Sequence, residues 1–176
     1  MSSATTPHQV RIRRAVPADA TAVADIHIAA RAAAPMPDGI HTAEAVHAWL
    51  ARRLAADEVW VAVDAADAVV GYVRLTDAWL EDLFVAPAHA RRGIGSTMLD
   101  LVKARRPAGF SLMVFETNAP ARAFYARHGL VEREHGCDNE EREPDLRMSW
   151  DVPAVSPPDG PAEVGAAPGT VPENAS

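Results

Sequence analysis

The sequence predicts one α+β domain, a mixed central sheet of about seven strands flanked by about four helices. Three observations carry this. Short apolar runs and helical patterns follow each other in the order β-α-α-β-β-β-α-β-α-β-β. Three of those runs are close enough in sequence for an antiparallel meander. One strand then passes through a glycine-bearing turn directly into a helix, across Val85–Ser96.

Each element has a local reason. Val10-Arg-Ile-Arg alternates apolar and charged residues and reads as a first strand. Pro17 and Asp19 open a helix whose inner face is Val23, Ile26 and Ala30, and Pro35 and Pro37 end it. Thr42 can cap a second helix reaching Leu54, with Val46, Trp49 and Leu50 as a weaker apolar face. Val59–Asp64 and Val69–Thr76 are β-branched runs joined by Ala65–Ala68, and Trp79–Val85 completes the meander. A helix over Gly95–Arg105 buries Ile94, Met98, Leu101 and Val102. Phe110–Thr117 is a strand, and Ala119–His128 is a short helix closed by Gly129. Leu130–His135 and Leu146–Asp151 are the last strands, around a polar loop.

The domain is expected over residues 10–152, after a flexible N-terminus at 1–9. The stretch 153–176 is rich in Pro, Gly and Ala, without an aromatic residue or apolar period, and reads as a disordered tail. No apolar run reaches the roughly 18 residues of a membrane span, and the first residues lack signal-peptide character, so a cytoplasmic protein without membrane contact is expected. The net charge of −7 provides no basic footprint for nucleic acid and favours a cationic small partner. Cys137 is the single cysteine, which excludes an intrachain disulfide. No histidine spacing supports a metal site.

In the turn His89-Ala-Arg-Arg-Gly-Ile-Gly-Ser, Gly93 and Gly95 let the backbone approach a ligand. The amides from Arg91 through Ser96 can cradle a pyrophosphate at the helix start, and Arg91 and Arg92 add positive potential. A dinucleotide fingerprint fails because Met98 stands where the third glycine belongs, and the Gly-Lys of a nucleoside-triphosphate loop is missing. In the strand before the turn, Glu81 shares one face with Trp79, Leu83 and Val85, and Asp82 shares the other with Leu80 and Phe84. A carboxylate interrupting a buried face is either paired with an Arg, such as Arg74, or acts as a general base. Tyr125, beside Phe124, is either a core residue or a proton donor.

The stretch Val85-Ala-Pro-Ala-His-Ala-Arg-Arg-Gly-Ile-Gly-Ser resembles the acyl-CoA motif of the GCN5-related N-acetyltransferases. Asn118-Ala-Pro-Ala-Arg-Ala-Phe-Tyr-Ala-Arg-His-Gly-Leu is similar to their second motif. The resemblance extends over Val10–Asp151, and Asn139 to Arg147 resembles a bacterial branch of unassigned substrate. It implies the GNAT fold and an acetyl-CoA-dependent N-acetyltransferase acting on a primary amine of a small molecule or peptide. Leu83, Phe84 and Val85 would offer backbone groups to the pantetheine arm. Arg91, Arg92, Gly93, Ile94, Gly95 and Ser96 would take the pyrophosphate. Asn118 would hold the cofactor arm or a water. Tyr125 would protonate the departing thiolate, and Glu81 would take the amine proton, with Asp82 as auxiliary. His27, His41 and His47 fall in the region lining the acceptor side. The sequence departs from the pattern at Ala90, where Gln or Arg is usual, and at Arg91, where glycine is common.

The expected route is direct transfer in a ternary complex, with a backbone amide near Leu83 meeting the oxyanion. The alternatives are a non-catalytic acyl-CoA-binding or regulatory module and a thioesterase-like hydrolase. The final strands and Trp150 offer a surface for a homodimer.

Overall fold

The β-branched run Val69–Thr76 becomes the most deeply buried strand because it is covered on both faces. In the computed structural model, which describes residues 10–151, it is β3 of a seven-stranded sheet. The expected flexible N-terminus and tail fall outside the described residues. The strands are β1 (Arg11–Arg14), β2 (Glu58–Val63), β3 (Val69–Thr76), β4 (Trp79–Val85), β5 (Phe110–Phe115), β6 (Val131–Gly136) and β7 (Asp145–Trp150). The helices are α1 (Ala20–Ala33), α2 (Ala43–Ala56), α3 (Ile94–Arg105) and α4 (Ala119–Arg127). The sheet order is β1-β2-β3-β4-β5-β7-β6. All neighbours are antiparallel except β4 and β5, so the sheet is mixed as the sequence predicts.

Each face has its own core. On one side Val23 and Ile26 of α1 and Leu50 of α2 pack on Val59, Val61 and Tyr72. On the other, Met98, Leu99 and Val102 of α3 and Tyr125 of α4 pack on Val73, Leu80, Leu112 and Leu146. The α2 face is narrower than that of α1, but Leu50 is fully buried, a contribution of about 2 kcal/mol for a Leu side chain. In α3, Leu99 joins the fully buried residues and Leu101 lies at the margin of the core.

The expected local signals have identifiable partners. Thr42 Oγ1 accepts from the Ala45 amide at 3.2 Å and caps α2. Asp64 Oδ1 accepts from the amides of Ala66 and Ala68, both at 2.9 Å, which shapes the hairpin between β2 and β3. Gly129 takes φ +86° beyond α4, the left-handed conformation that ends a helix.

Two irregularities shape the middle of the sheet. Arg74 pairs with Asp82 but Leu75 pairs with Leu80, so Glu81 is an extra residue in β4. β4 and β5 share the register pair Trp79–Ser111 and no other among the described residues. The two parallel strands therefore meet at the Trp79 end and part toward Val85, opening the sheet between the helices.

Candidate active site

The bulge corrects the alternation expected for β4. Strict period two would keep Leu80 and Asp82 on one face. With the extra residue, Leu80 enters the core beneath α3, while Asp82 faces the cavity under α1 and α2. Glu81 is left exposed, its carboxylate accepting from Thr76 Oγ1 at 2.6 Å, and it does not line that cavity. Leu83 and Val85 point to the α3 side, where they line a second, smaller groove, and Phe84 packs with the α1 core.

The larger cavity, about 780 Å³, is walled by Ile28, Trp49 and Val46, with His27, Arg31 and Asp82 among its polar groups. Asp82 is nearly buried and its Oδ2 accepts from Arg74 Nε at 2.6 Å. Arg74 also donates to Asp57 at 2.8 Å, and its guanidinium lies 4.8 Å from the Trp49 ring centroid. The structural pairing considered for a β4 acid, with Arg74, therefore belongs to Asp82. The mouth is bridged by side chains distant in sequence. Arg31 donates to Glu141 at 2.9 Å, and His41 Nε2 meets Glu140 at 2.7 Å, tying the loop before β7 to α1 and the segment that follows it.

His27 sits inside this cavity, its Nδ1 2.7 Å from the hydroxyl of the fully buried Tyr72. Phe84 packs edge-on against its ring, with centroids 5.0 Å apart. Burial lowers the imidazole below its ordinary value of 6.5, with Arg31 and Arg74 acting in the same direction and Asp82 opposing them. His41 also lines the cavity, whereas His47 faces Asp25 at 3.0 Å.

The smaller groove, about 230 Å³, is formed by Leu83, Val85, His89, the turn through Ser96, and Phe124 of α4. Its geometry follows from two left-handed residues, Arg91 at φ 61° and Gly93 at φ 80°. Arg91 thus occupies the conformation glycine adopts without penalty, which explains what its departure from the common motif costs locally. Gly93 is the N-cap of α3, and its carbonyl accepts the first helical bond from the Thr97 amide at 3.0 Å. The amides of Ile94, Gly95 and Ser96 precede that bond and point out of the helix. A Cβ on Gly93 would meet nothing within 4 Å, so the turn is open to a ligand. At Gly95 a Cβ would lie 3.5 Å from Phe124, and any longer side chain would fill the groove.

Tyr125 lies behind this groove, only 9% exposed. Burial pushes its hydroxyl well above the ordinary phenol value, and the charge on Asp82 adds to the effect. The two residues are thus in electrostatic reach across the parted strands. Asn118 caps α4 by accepting from the Ala121 amide at 3.3 Å, so its oxygen is used in the helix and its NH₂ remains as the group to offer elsewhere.

The Acetyltransferase (GNAT) domain profile matches residues 55–132, a span that includes the bulged strand, the turn, α3 and α4. Over these residues the chain resembles the GNAT acetyltransferases. Peptidyl-lysine N-acetyltransferase YiaC of Escherichia coli is 34% identical over 85 residues, which cover 48% of this chain and 58% of YiaC. The match therefore spans little more than half the length of that relative. Solved structures share the fold. Apo YjaB of Escherichia coli superposes with a TM-score of 0.69 at 21% identity, covering 81% of this chain and 97% of YjaB. YncA of Salmonella typhimurium, solved with its cofactor acetyl-CoA, superposes with a TM-score of 0.62 at 24% identity, covering 86% of this chain and 98% of YncA.

The groove in this chain suits such a cofactor on its own chemistry. It offers outward amides and an open turn for phosphate oxygens, and an apolar wall of Leu83, Val85 and Phe124 for an uncharged arm. His89 Nδ1, at its edge, is buried without a hydrogen-bond partner among the described residues. A polar atom of a bound group would satisfy it. Sequence reasoning missed His89 and Phe124 as groove residues, and no local signal marked them. No helix among the described residues is long and apolar enough to cross a membrane.

Proposed function

We propose that this protein transfers an acetyl group from acetyl-CoA to a primary amine of a small molecule or peptide. The observation that carries the reading is that two separate cavities meet β4 from opposite faces, one at Asp82 and the other at Leu83 and Val85. One has the chemistry of a phosphate-bearing thioester cofactor. The other has an apolar wall and a carboxylate suited to an ammonium group. The similarity to a peptidyl-lysine acetyltransferase and to an acetyl-CoA-bound structure supports the same class.

Bound acetyl-CoA would supply an activated acyl group. Arg91 to Ser96 would hold its pyrophosphate, Leu83 to Val85 and Asn118 would orient its arm, and a backbone amide near Leu83 would be the donor for the carbonyl oxygen. Tyr125 stays protonated because burial favours its neutral form. An alkyl thiol titrates near ~8.5, so full proton transfer from such a phenol is uphill, and Tyr125 acts mainly as a hydrogen-bond donor to the leaving sulfur. Asp82 supplies negative potential beside the amine. Glu81 stands outside the cavity lining, so its part comes after the amine proton has left the amine, as a relay to solvent through water.

Thiol release from acetyl-CoA over a panel of primary amines tests this. The expected result is amine-dependent release in the wild type and a fall in kcat of about 100-fold in Tyr125→Phe, with CoA affinity retained. Glu81→Gln should lower turnover and leave CoA affinity intact. CoA binding without amine-dependent release across the panel would point to a binding module. Equal release with and without amine would point to a hydrolase.

A further inference from the structure

We propose that His27 is the group that takes the proton from the acceptor amine, with Tyr72 fixing the ring so that Nε2 presents its lone pair to the cavity. This rests on the acyltransferase reading above and deepens it.

The geometry begins at the buried Tyr72. Its hydroxyl has one proton and lies 2.7 Å from His27 Nδ1. The negative charge of Asp82 also acts on this hydroxyl. A carboxylate can only accept. That charge turns the hydroxyl proton toward Asp82, so the hydroxyl oxygen accepts from Nδ1–H and the neutral ring keeps its lone pair on Nε2. The edge that carries Nε2 is the one left for the cavity His27 lines. Trp49, with its centroid 6.3 Å away, and Phe84 restrict the ring's motion.

The other proton acceptors nearby are less well placed. Asp82 is bonded to Arg74 at 2.6 Å, and Glu81 is bonded to Thr76 and lies outside the lining. An imidazole that is mostly neutral near pH 7 is also a better match to an ammonium proton than an ordinary carboxylate. The charged and titratable groups around the ring and its cavity are Tyr72 and Arg74 on β3, Asp82 on β4, Arg31 on its own helix, Arg52 from α2, Asp38 and His41 between α1 and α2, and Glu140 and Glu141 before β7. Arg31 is paired with Glu141, and Arg74 with Asp57 and Asp82. Burial, with the two arginines, outweighs the opposing charge of Asp82 and favours the uncharged ring. The ammonium proton passes to Nε2, Nδ1 keeps its own hydrogen, and the amine lone pair thereby freed attacks the acyl carbon. The C–S bond would then break to release the CoA thiolate, which takes the second proton from the new amide nitrogen. The imidazolium then returns its proton to water at the cavity mouth.

Two measurements test the assignment. Long-range nitrogen–proton NMR of the full chain should show His27 as the Nδ1–H tautomer, titrating below 6.5. An Nε2–H tautomer, or a charged ring at pH 7, overturns the proposal without reference to turnover. With an amine that the wild type acetylates, His27→Gln should lower kcat/KM by about 100-fold and abolish the acid limb of its pH profile, with CoA binding unchanged. Tyr72→Phe should weaken the limb while His27 remains. His47→Gln, which alters a histidine outside the cavity, should leave the limb in place. An intact acid limb in a folded His27→Gln protein overturns the role of His27 and leaves the acyltransferase reading standing. Absence of amine-dependent release in the wild type overturns both.

Discussion

Arg74 shows how one side chain can tie a helix to the strands beneath it at the active-site wall. It is 7% exposed and joins Asp57, at the end of α2, to Asp82 on β4 while lying against Trp49. The gain from such a buried network is modest because three charges lose their water. Breaking it from one side is a different matter, since two carboxylates would then be left in a low-dielectric site. Arg74→Met is expected to destabilise the protein by about 3–5 kcal/mol. Urea unfolding would read this as a lower midpoint at unchanged slope. A shift under about 1 kcal/mol would mean that water reaches Asp82 freely. Tyr125 illustrates the complementary case, a single buried hydroxyl whose neutral form is favoured by its surroundings.

The turn into α3 sets up the phosphate site through backbone conformation. Gly93 at φ 80° releases the amides of the following residues from the turn without steric cost. Gly93→Ala meets no neighbouring atom, so any effect must come from the backbone itself. Its expected cost is about 1–2 kcal/mol, with weaker CoA binding as the turn relaxes. Calorimetric titration with CoA beside thermal unfolding would separate the two effects. Unchanged stability and affinity together would show that the left-handed conformation is not required. The bulge in β4 works at the same scale. One unpaired residue, Glu81, allows the strand to send Leu80 into one core and Asp82 into the opposite cavity.

Across the whole molecule, Glu58 links the early strands to the end of α3. Its carboxylate accepts from Trp60 at 2.9 Å and Arg105 at 2.7 Å, and Arg106 lies at 3.0 Å. Burial works to raise this carboxyl, but the bonds from Trp60, Arg105 and Arg106 outweigh it and hold the group down from 4.5 to about 2. A depressed folded value means stability that is complete above 4.5 and is lost as the pH falls toward 2. The loss is at most about 3 kcal/mol, because the network is partly solvated. Glu58→Gln should therefore be less stable at neutral pH and show a flatter acid limb over this interval, measured by urea midpoints against pH. Parallel limbs in the two proteins would refute the linkage.

The amino-acid sequence by itself determined the order of elements, the mixed sheet, the Thr42 cap, the Gly129 stop and the glycine turn before α3. These depend on periodicity, capping and backbone preference, which act over a few residues. It also marked Glu81, Asp82 and Tyr125 as chemically unusual, but gave no means of telling which β4 acid meets Arg74. The tertiary structure alone decided that, because a one-residue bulge reverses strand facing and depends on pairing with β3. It alone placed His27 on Tyr72, 45 residues away, and the loop acids on Arg31 and His41, about 100 residues away. Such contacts leave no local pattern in a chain: they arise only when helices pack on a sheet and bring distant hydrogen-bonding groups into one cavity.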